Sequence, residues 1–175
     1  MMATLLSACS LVPDEITVAD DNLLVSYQDA KQSPEVYSTM TARWGGVIAD
    51  VKNLQDNTMV EVVNIDLNSV AKPKSENKSA GRFRIIYPGL LDPMIYQKGQ
   101  KITAVGTIEL PQKGKIGELN YVFPVLKASG IHLWKEVERV DLRVHSDPFY
   151  DPYYRYPYPV HSQTVIIKKP VKSAK

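Results

Sequence analysis

Cysteine is almost absent: the 175 residues hold one, at position 9. A single thiol excludes an internal disulfide framework and a cysteine-only zinc site. Histidine is scarce as well. His132, His145 and His161 lie too far apart to supply the short ligand pair of a zinc motif. No apolar run reaches the roughly 18 residues of a membrane-spanning helix. Neither sign of charge dominates, with 21 basic and 19 acidic residues and a net charge of +2, so nothing predicts the broad basic field that drives nucleic-acid binding. The glycine-rich phosphate loops and the Gly-x-Ser-x-Gly elbow do not occur. Acidic pairs such as Glu136 and Glu138 share a strand face and read as solvated, whereas a glycosidase needs two carboxylates across a cleft. What remains, 44% hydrophobic and 23% charged residues, is the balance of one folded domain with extensions.

The lone cysteine has a context. Leu6-Ser7-Ala8-Cys9 reads as the lipobox of bacterial lipoproteins: an aliphatic residue, two small residues that let the extended chain enter a peptidase, and a thiol to be alkylated with diacylglycerol. Several acyl chains at one terminus hold a membrane far more firmly than one, at about 0.8 kcal/mol per buried methylene. Cys9 is therefore the expected lipidation site. Residues 1–8 are read as the remnant of a truncated signal peptide, because a secretory signal carries a basic start and a longer apolar stretch. Ser10, standing where an Asp would favour inner-membrane retention, points to the outer membrane.

Residues 9–33 are polar and mixed and read as the lipidated cysteine and a tether. A short helix is expected near Asp20-Asp21 with Leu23, Leu24 and Tyr27 on one face. Ser33-Pro34-Glu35 predicts a second helix start, with Ser as cap and Pro in the first turn. From Thr41 the period becomes two. Strands are predicted from Ala42 to Val51, Met59 to Leu67, Gly81 to Tyr87, Lys101 to Leu110, Glu118 to Leu126 and Ile131 to Val140. Turns are expected at Lys52–Asn57, Pro111–Gly117 and Ala128-Ser129-Gly130, and Gly45-Gly46 predicts a bulge or bend. Six short strands at this spacing, with internal glycines, predict a mainly β domain over 34–147: a small antiparallel barrel of OB-like type with short N-terminal helical segments.

The tail, 148–175, differs in composition. Pro148 to Pro159 holds four of the twelve prolines and five of the ten tyrosines, and a lysine-rich end follows. Such a run cannot be helical and is expected to be extended. Tyr150, Tyr153, Tyr154, Tyr156 and Tyr158 are candidate partner contacts, since tyrosine offers large amphipathic area at modest entropy cost.

Four motifs then fall in a specific order: Ala42-Arg43-Trp44-Gly45-Gly46-Val47-Ile48; Leu90-Leu91-Asp92-Pro93 with Tyr96 and Gly99; Ile102-Thr103 with Gly106-Thr107-Ile108; and His132-Leu133-Trp134. In this order the chain, from about Cys9 to Trp134, resembles the Slp family, the starvation-inducible outer-membrane lipoproteins of Gram-negative bacteria. The resemblance implies a lipid-anchored protein on the periplasmic side of the outer membrane, linked to carbon starvation and stationary phase, with no established enzymatic activity.

Read from the residues themselves, Trp44 is expected to pack across the glycine pair, Asp92-Pro93 to form a turn capped by the carboxylate, Gly99 to end that connection, and Trp134 to serve as packing. Trp44, Arg82, Arg84 and Trp134 are also the residues that would line a ligand surface. The reading is a non-enzymatic structural or interaction module of the envelope with no cofactor beyond the lipid on Cys9. Its expected contacts are outer-membrane lipid through the N-terminal acyl chains and an envelope protein or glycan. The alternative is an OB-like binding domain for an envelope glycan or oligonucleotide, with stacking aromatics in a basic groove; the near-neutral charge makes nucleic acid the weaker partner. A pocket lined by the tryptophans and arginines would favour the alternative, a filled barrel the module.

Overall fold

The computed structural model describes residues 11–75 and 78–135. Cys9, residues 136–147 of the expected barrel domain, and the tail at 148–175 lie outside them.

The N-terminal segment is a chain of short turns. Pro13 leads into a 3-10 turn at Asp14–Ile16. A second spans Asp21–Leu23, where the Asp20 carboxylate accepts the Asn22 N–H at 2.9 Å. Helix α1, Tyr27–Gln32, starts at Ser26, whose hydroxyl accepts the Asp29 N–H at 3.1 Å and satisfies one of the free amides of a first turn. Helix α2, Pro34–Tyr37, follows with proline in its first turn. Two expectations are corrected. The short helix expected near Asp20-Asp21 does begin there, capped by Asp20, but as a 3-10 turn that stops at Leu23, so Leu24 lies beyond it and Tyr27 opens a separate helix. Ser33 flanks α2 but makes no side-chain cap. Nor is this stretch a free tether: Ile16 is wholly buried, and Tyr27 and Ala30 belong to the core.

Five strands follow: β1 Thr41–Asn53, β2 Asn57–Asn64, β3 Arg82–Pro88, β4 Lys101–Ile116 and β5 Leu119–Trp134. They close in the order β1-β2-β3-β5-β4, with β4 returning to β1. Every pair is antiparallel except β3 and β5, which run parallel over Arg84–Ile86 against Val125–Lys127. This is the five-stranded Greek-key ring of an OB-like barrel.

Among the described residues five strands stand where six were expected. Ala128-Ser129-Gly130 is a bulge rather than a turn: Gly106 faces Ala128 and Val105 faces Gly130, which leaves Ser129 unpaired and the strand continuous. The turn expected at Pro111–Gly117 is mostly strand. β4 passes a second irregularity between Glu109 and Gln112, where proline is tolerated because ladder pairing is already broken, and turns back only at Gly117-Glu118. The bulge in β1 falls between Ile48 and Asp50, not at the glycine pair. The glycines answer to the neighbouring strands: a Cβ on Gly46 would meet the Val63 carbonyl, and one on Gly45 would lie 2.8 Å from the Ile102 carbonyl.

Alternate residues point into the ring and form the core, among them Trp44, Ile48, Val62, Phe83, Ile85 and Ile102. Each large side chain so buried contributes about 1.5–3 kcal/mol relative to exposure. Helix α1 closes one end of the barrel with Tyr27 and Ala30, while Leu91, from the connection between β3 and β4, closes the other. A smaller cluster lies outside the ring, where Ile16, Ala71 and Val105 gather Val12, Val18, Leu67 and Trp134. Gly130 permits it, since the Glu15 carbonyl occupies the place of a Cβ. No helix among the described residues is long and apolar enough to cross a membrane.

Candidate functional site

Trp44 faces inward from β1 and is 2% exposed. Its ring meets Tyr27 edge-on at 5.7 Å and Phe83 at 5.4 Å, the arrangement that aromatic quadrupoles favour. Its Nε1–H donates to the Val25 carbonyl at 3.0 Å. The expected packing across Gly45-Gly46 is replaced by this aromatic trio, and no face of the indole is open to a ligand. Beside it, Arg43 points outward and grips the Asp21 carboxylate through its two terminal nitrogens, Nη2 at 2.7 Å and Nη1 at 3.1 Å, and Nη1 also donates to the Ile16 carbonyl at 3.3 Å. The first motif thus fastens the N-terminal segment to the barrel from both faces of one strand.

Arg82 and Arg84 lie on the outer face of β3, beside the short parallel seam with β5. Arg84 is nearly buried. Its Nη2 donates to Glu61 Oε1 across the β2–β3 pair at 2.9 Å, its Nη1 donates to Gln112 at 3.2 Å, and its guanidinium lies 4.1 Å over the Phe123 ring. Its Nε has no hydrogen-bond partner among the described residues. Arg82 takes part through its backbone: its N–H donates to the Tyr121 hydroxyl, and its carbonyl accepts from the Tyr27 hydroxyl, each at 3.0 Å. Burial, then hydrogen bonding and charge from Tyr121, push the Tyr27 hydroxyl far above its usual pKa. Burial also pushes Tyr121 up, but the Arg82 N–H, Tyr27 and Lys31 outweigh it, so its net shift is downward. Two hydroxyls therefore complete the ladder where β3 and β5 part, and hold α1 over the barrel end.

Trp134, on the outer face of β5, donates its Nε1–H to Thr103 Oγ1 at 2.9 Å, and Thr103 in turn donates to the Ala71 carbonyl at 2.8 Å. His132 meets its edge at 4.4 Å and Lys72 sits 5.4 Å from the ring centre. Half-buried, Trp134 packs against the outer cluster of Ile16, Ala71 and Val105. The second motif also behaves as read: Asp92 Oδ1 accepts the Met94 N–H at 2.8 Å, and Gly99, with a φ of +93°, closes the connection.

The four candidate ligand residues therefore do not converge. Trp44 is inside the barrel, Trp134 belongs to the outer cluster, and Arg82 and Arg84 flank the seam. Cys9 and the five tail tyrosines lie outside the described residues. Sequence reasoning missed Glu61, Tyr27, Tyr121 and Thr103. Glu61 had a signal, a carboxylate inside the apolar run Val60–Val63, whereas the tyrosines meet only through the fold. A hollow of about 150 Å³ lies between α1, α2 and the β4–β5 hairpin, lined by Ala30, Lys31, Pro34, Pro111, Val122 and Pro124. Among the described residues no three His, Cys, Asp or Glu side chains gather as metal ligands.

Residues 6–161 match the outer membrane lipoprotein Slp family. The uncharacterized lipoprotein YeaY of Escherichia coli (strain K12) is 33% identical over 138 residues, 79% of this chain and 71% of that protein. Outer membrane protein Slp of the same organism is 32% identical over 134 residues, 76% of this chain and 71% of that one. An uncharacterized protein of Haemophilus influenzae is 32% identical over 110 residues, 62% of this chain and 60% of its own length. Among solved structures, a Plasmodium falciparum SSB complex with ssDNA covers 54% of this chain and 91% of that chain at 15% identity, with a TM-score of 0.31; at that score the likeness bears on no ligand.

Proposed function

The chain belongs to the outer membrane lipoprotein Slp family, and on that premise we propose that it is anchored through lipid on Cys9 at the periplasmic side of the outer membrane, where it works as a structural or interaction module and not as an enzyme. The observation that carries the module reading is the filled barrel. Phe83, Ile85, Val62 and Ile102 are fully buried and Trp44 nearly so, while Arg84 and Trp134 are engaged by Glu61 and Thr103. A stacking platform for a glycan or oligonucleotide needs aromatic faces free in a groove, and these tryptophans spend theirs on packing.

The Tyr/Pro tail is the segment offered to an envelope protein or glycan partner, and the family resemblance ties the module's use to starvation or stationary phase. For the anchor, the chain is expressed behind an export signal and followed by lipid labelling and membrane fractionation. Cys9→Ser is expected to lose the label and leave the outer-membrane fraction; retention of both overturns the anchor. For the tail, deletion of residues 148–175 is expected to remove crosslinks formed in cells, and an unchanged pattern removes the contact role. For the stress link, protein level is followed through carbon exhaustion, and a constant level removes it.

A further inference from the structure

One end of the barrel presents apolar side chains on rigid backbone. Leu54, in the β1–β2 turn, is 55% exposed, and the β3–β4 connection adds Leu90 at 75%, Met94 at 77% and Ile95 at 55%. Single exposed apolar residues are ordinary on a soluble surface. Here the two segments are tied together. The Asn53 side chain donates to the Leu91 carbonyl at 3.3 Å, and the Thr58 hydroxyl accepts the Leu91 N–H at 3.0 Å and donates to the Gly89 carbonyl at 2.8 Å. Leu91 plugs the core, so Leu90 is turned outward. Asp92 holds the next turn through the Met94, Ile95 and Tyr96 amides. The fold keeps these side chains in water instead of merely failing to bury them.

The chain enters at the same end. β4 begins and β5 finishes where β1 and β3 finish, so Lys101 and Trp134, which pair there, stand at the end crossed by the β3–β4 connection. Val12 packs in the cluster that holds Trp134, and the charge of Glu15 reaches Tyr96, where it adds to burial and Tyr87 in raising that hydroxyl. Leu11, next in the chain, is 79% exposed. Cys9 lies two residues earlier, a span of at most about 7 Å, comparable to the depth of about 5–10 Å at which apolar side chains settle among headgroups.

We infer that this end of the barrel rests on the bilayer, with Leu54, Leu90, Met94 and Ile95 inserted at the headgroup boundary as a second contact beside the N-terminal anchor. The inference rests on the anchored reading for where the chain meets the membrane, so its test supplies the anchor by other means. A chain starting at residue 9 with Cys9→Ser carries an N-terminal hexahistidine held by nickel-chelating lipid in vesicles of phosphatidylethanolamine and phosphatidylglycerol. The substitution Met94→Cys then provides the only thiol for an NBD dye, and Val36→Cys, on exposed α2, provides the reference.

At position 94 the dye is expected to shift to shorter wavelength and to be quenched by brominated lipid, while at 36 it stays water-like. Leu90→Glu with Ile95→Glu is expected to abolish the shift and to lower partitioning of the untethered chain about tenfold or more. Equal, water-like spectra at the two positions overturn the inference and leave the Cys9 anchor untouched. A shift at 94 that grows with protein concentration without lipid also overturns it, because a second copy then covers the surface.

Discussion

The inside of the barrel and its outer β4–β5 face bury their tryptophans by different means. Inside, Trp44 is surrounded by other large apolar side chains, and only its N–H looks for a polar partner, which it finds in Val25. Outside, Trp134 covers a small cluster and relies on polar relays through Thr103 to Ala71. Both indoles fix a segment that is not part of the ring, the N-terminal turns in one case and the loop before β3 in the other. Inside, area removed from water dominates. Outside and at the seam, single hydrogen bonds and ion pairs such as Arg43 with Asp21 and Arg84 with Glu61 decide whether the covering segments stay down, so each is worth less but is local in effect.

The largest break in that comparison is expected inside. Phe83→Ala removes the ring that meets both Trp44 and Tyr27 and leaves a cavity in a wholly enclosed place, at a cost of about 3–5 kcal/mol. Urea unfolding followed by far-UV circular dichroism measures it. A loss below about 1.5 kcal/mol would mean that the interior is not packed as described.

The seam comes next. Glu61→Leu leaves the Arg84 guanidinium nearly buried without its carboxylate and is expected to cost about 3 kcal/mol, because an uncompensated buried charge is more expensive than the pair is worth. Adding Arg84→Met is expected to restore most of the loss. If the double variant is no more stable than the single, the pair is not what makes Glu61 necessary.

Much of the barrel was legible because burial inside it follows a period of two. Val60, Val62, Phe83, Ile85 and Ile102 all fall where alternation puts them. The strand count was not legible. Ala128-Ser129-Gly130 and Pro111 carry the residues of turns, and only the ladder between β4 and β5 tells that they sit in bulges of continuous strands. The outer cluster was hidden for a related reason: Ile16 lies between Glu15 and Thr17 in a segment with no regular apolar period, and its burial depends on Ala71 and Val105 far along the chain. Of the candidate ligand residues, sequence identified aromatic and basic side chains but not their commitments. Trp44 and Arg84 are taken up by Val25 and Glu61, residues at no fixed spacing from them.

A gentler test separates the outer face from the core. Gly130→Ala puts a methyl group where the Glu15 carbonyl lies, so the Asp14–Ile16 turn must lift while the ring stays intact. The expected loss is about 1–3 kcal/mol. Amide exchange should rise around Ile16 and Thr17 before it rises at Ile85 or Val62, since covering segments open below the global free energy. Uniform loosening across both regions would show that the outer cluster and the core form one cooperative unit.

The smallest effect is silent at neutral pH and concerns the hydroxyls that join the two regions. The unfolded chain ionises Tyr27 near a pKa of about 10, whereas the folded chain holds that proton to higher pH. Above about pH 10 the unfolded state therefore binds fewer protons than the folded one, and stability falls as pH rises; below it the two bind alike and the group contributes no slope. Tyr121, shifted downward, acts in the opposite sense and offsets part of the fall. Tyr27→Phe is expected to cost about 1 kcal/mol at pH 7 for the lost bond to Arg82 and to flatten the alkaline decline. Tyr121→Phe should leave the decline at least as steep. The readout is the difference in urea midpoint between each variant and the parent from pH 8 to 11, which subtracts the other tyrosines and the lysines. If Tyr27→Phe declines as steeply as the parent, the buried hydroxyl is not what couples the N-terminal helix to the seam at alkaline pH.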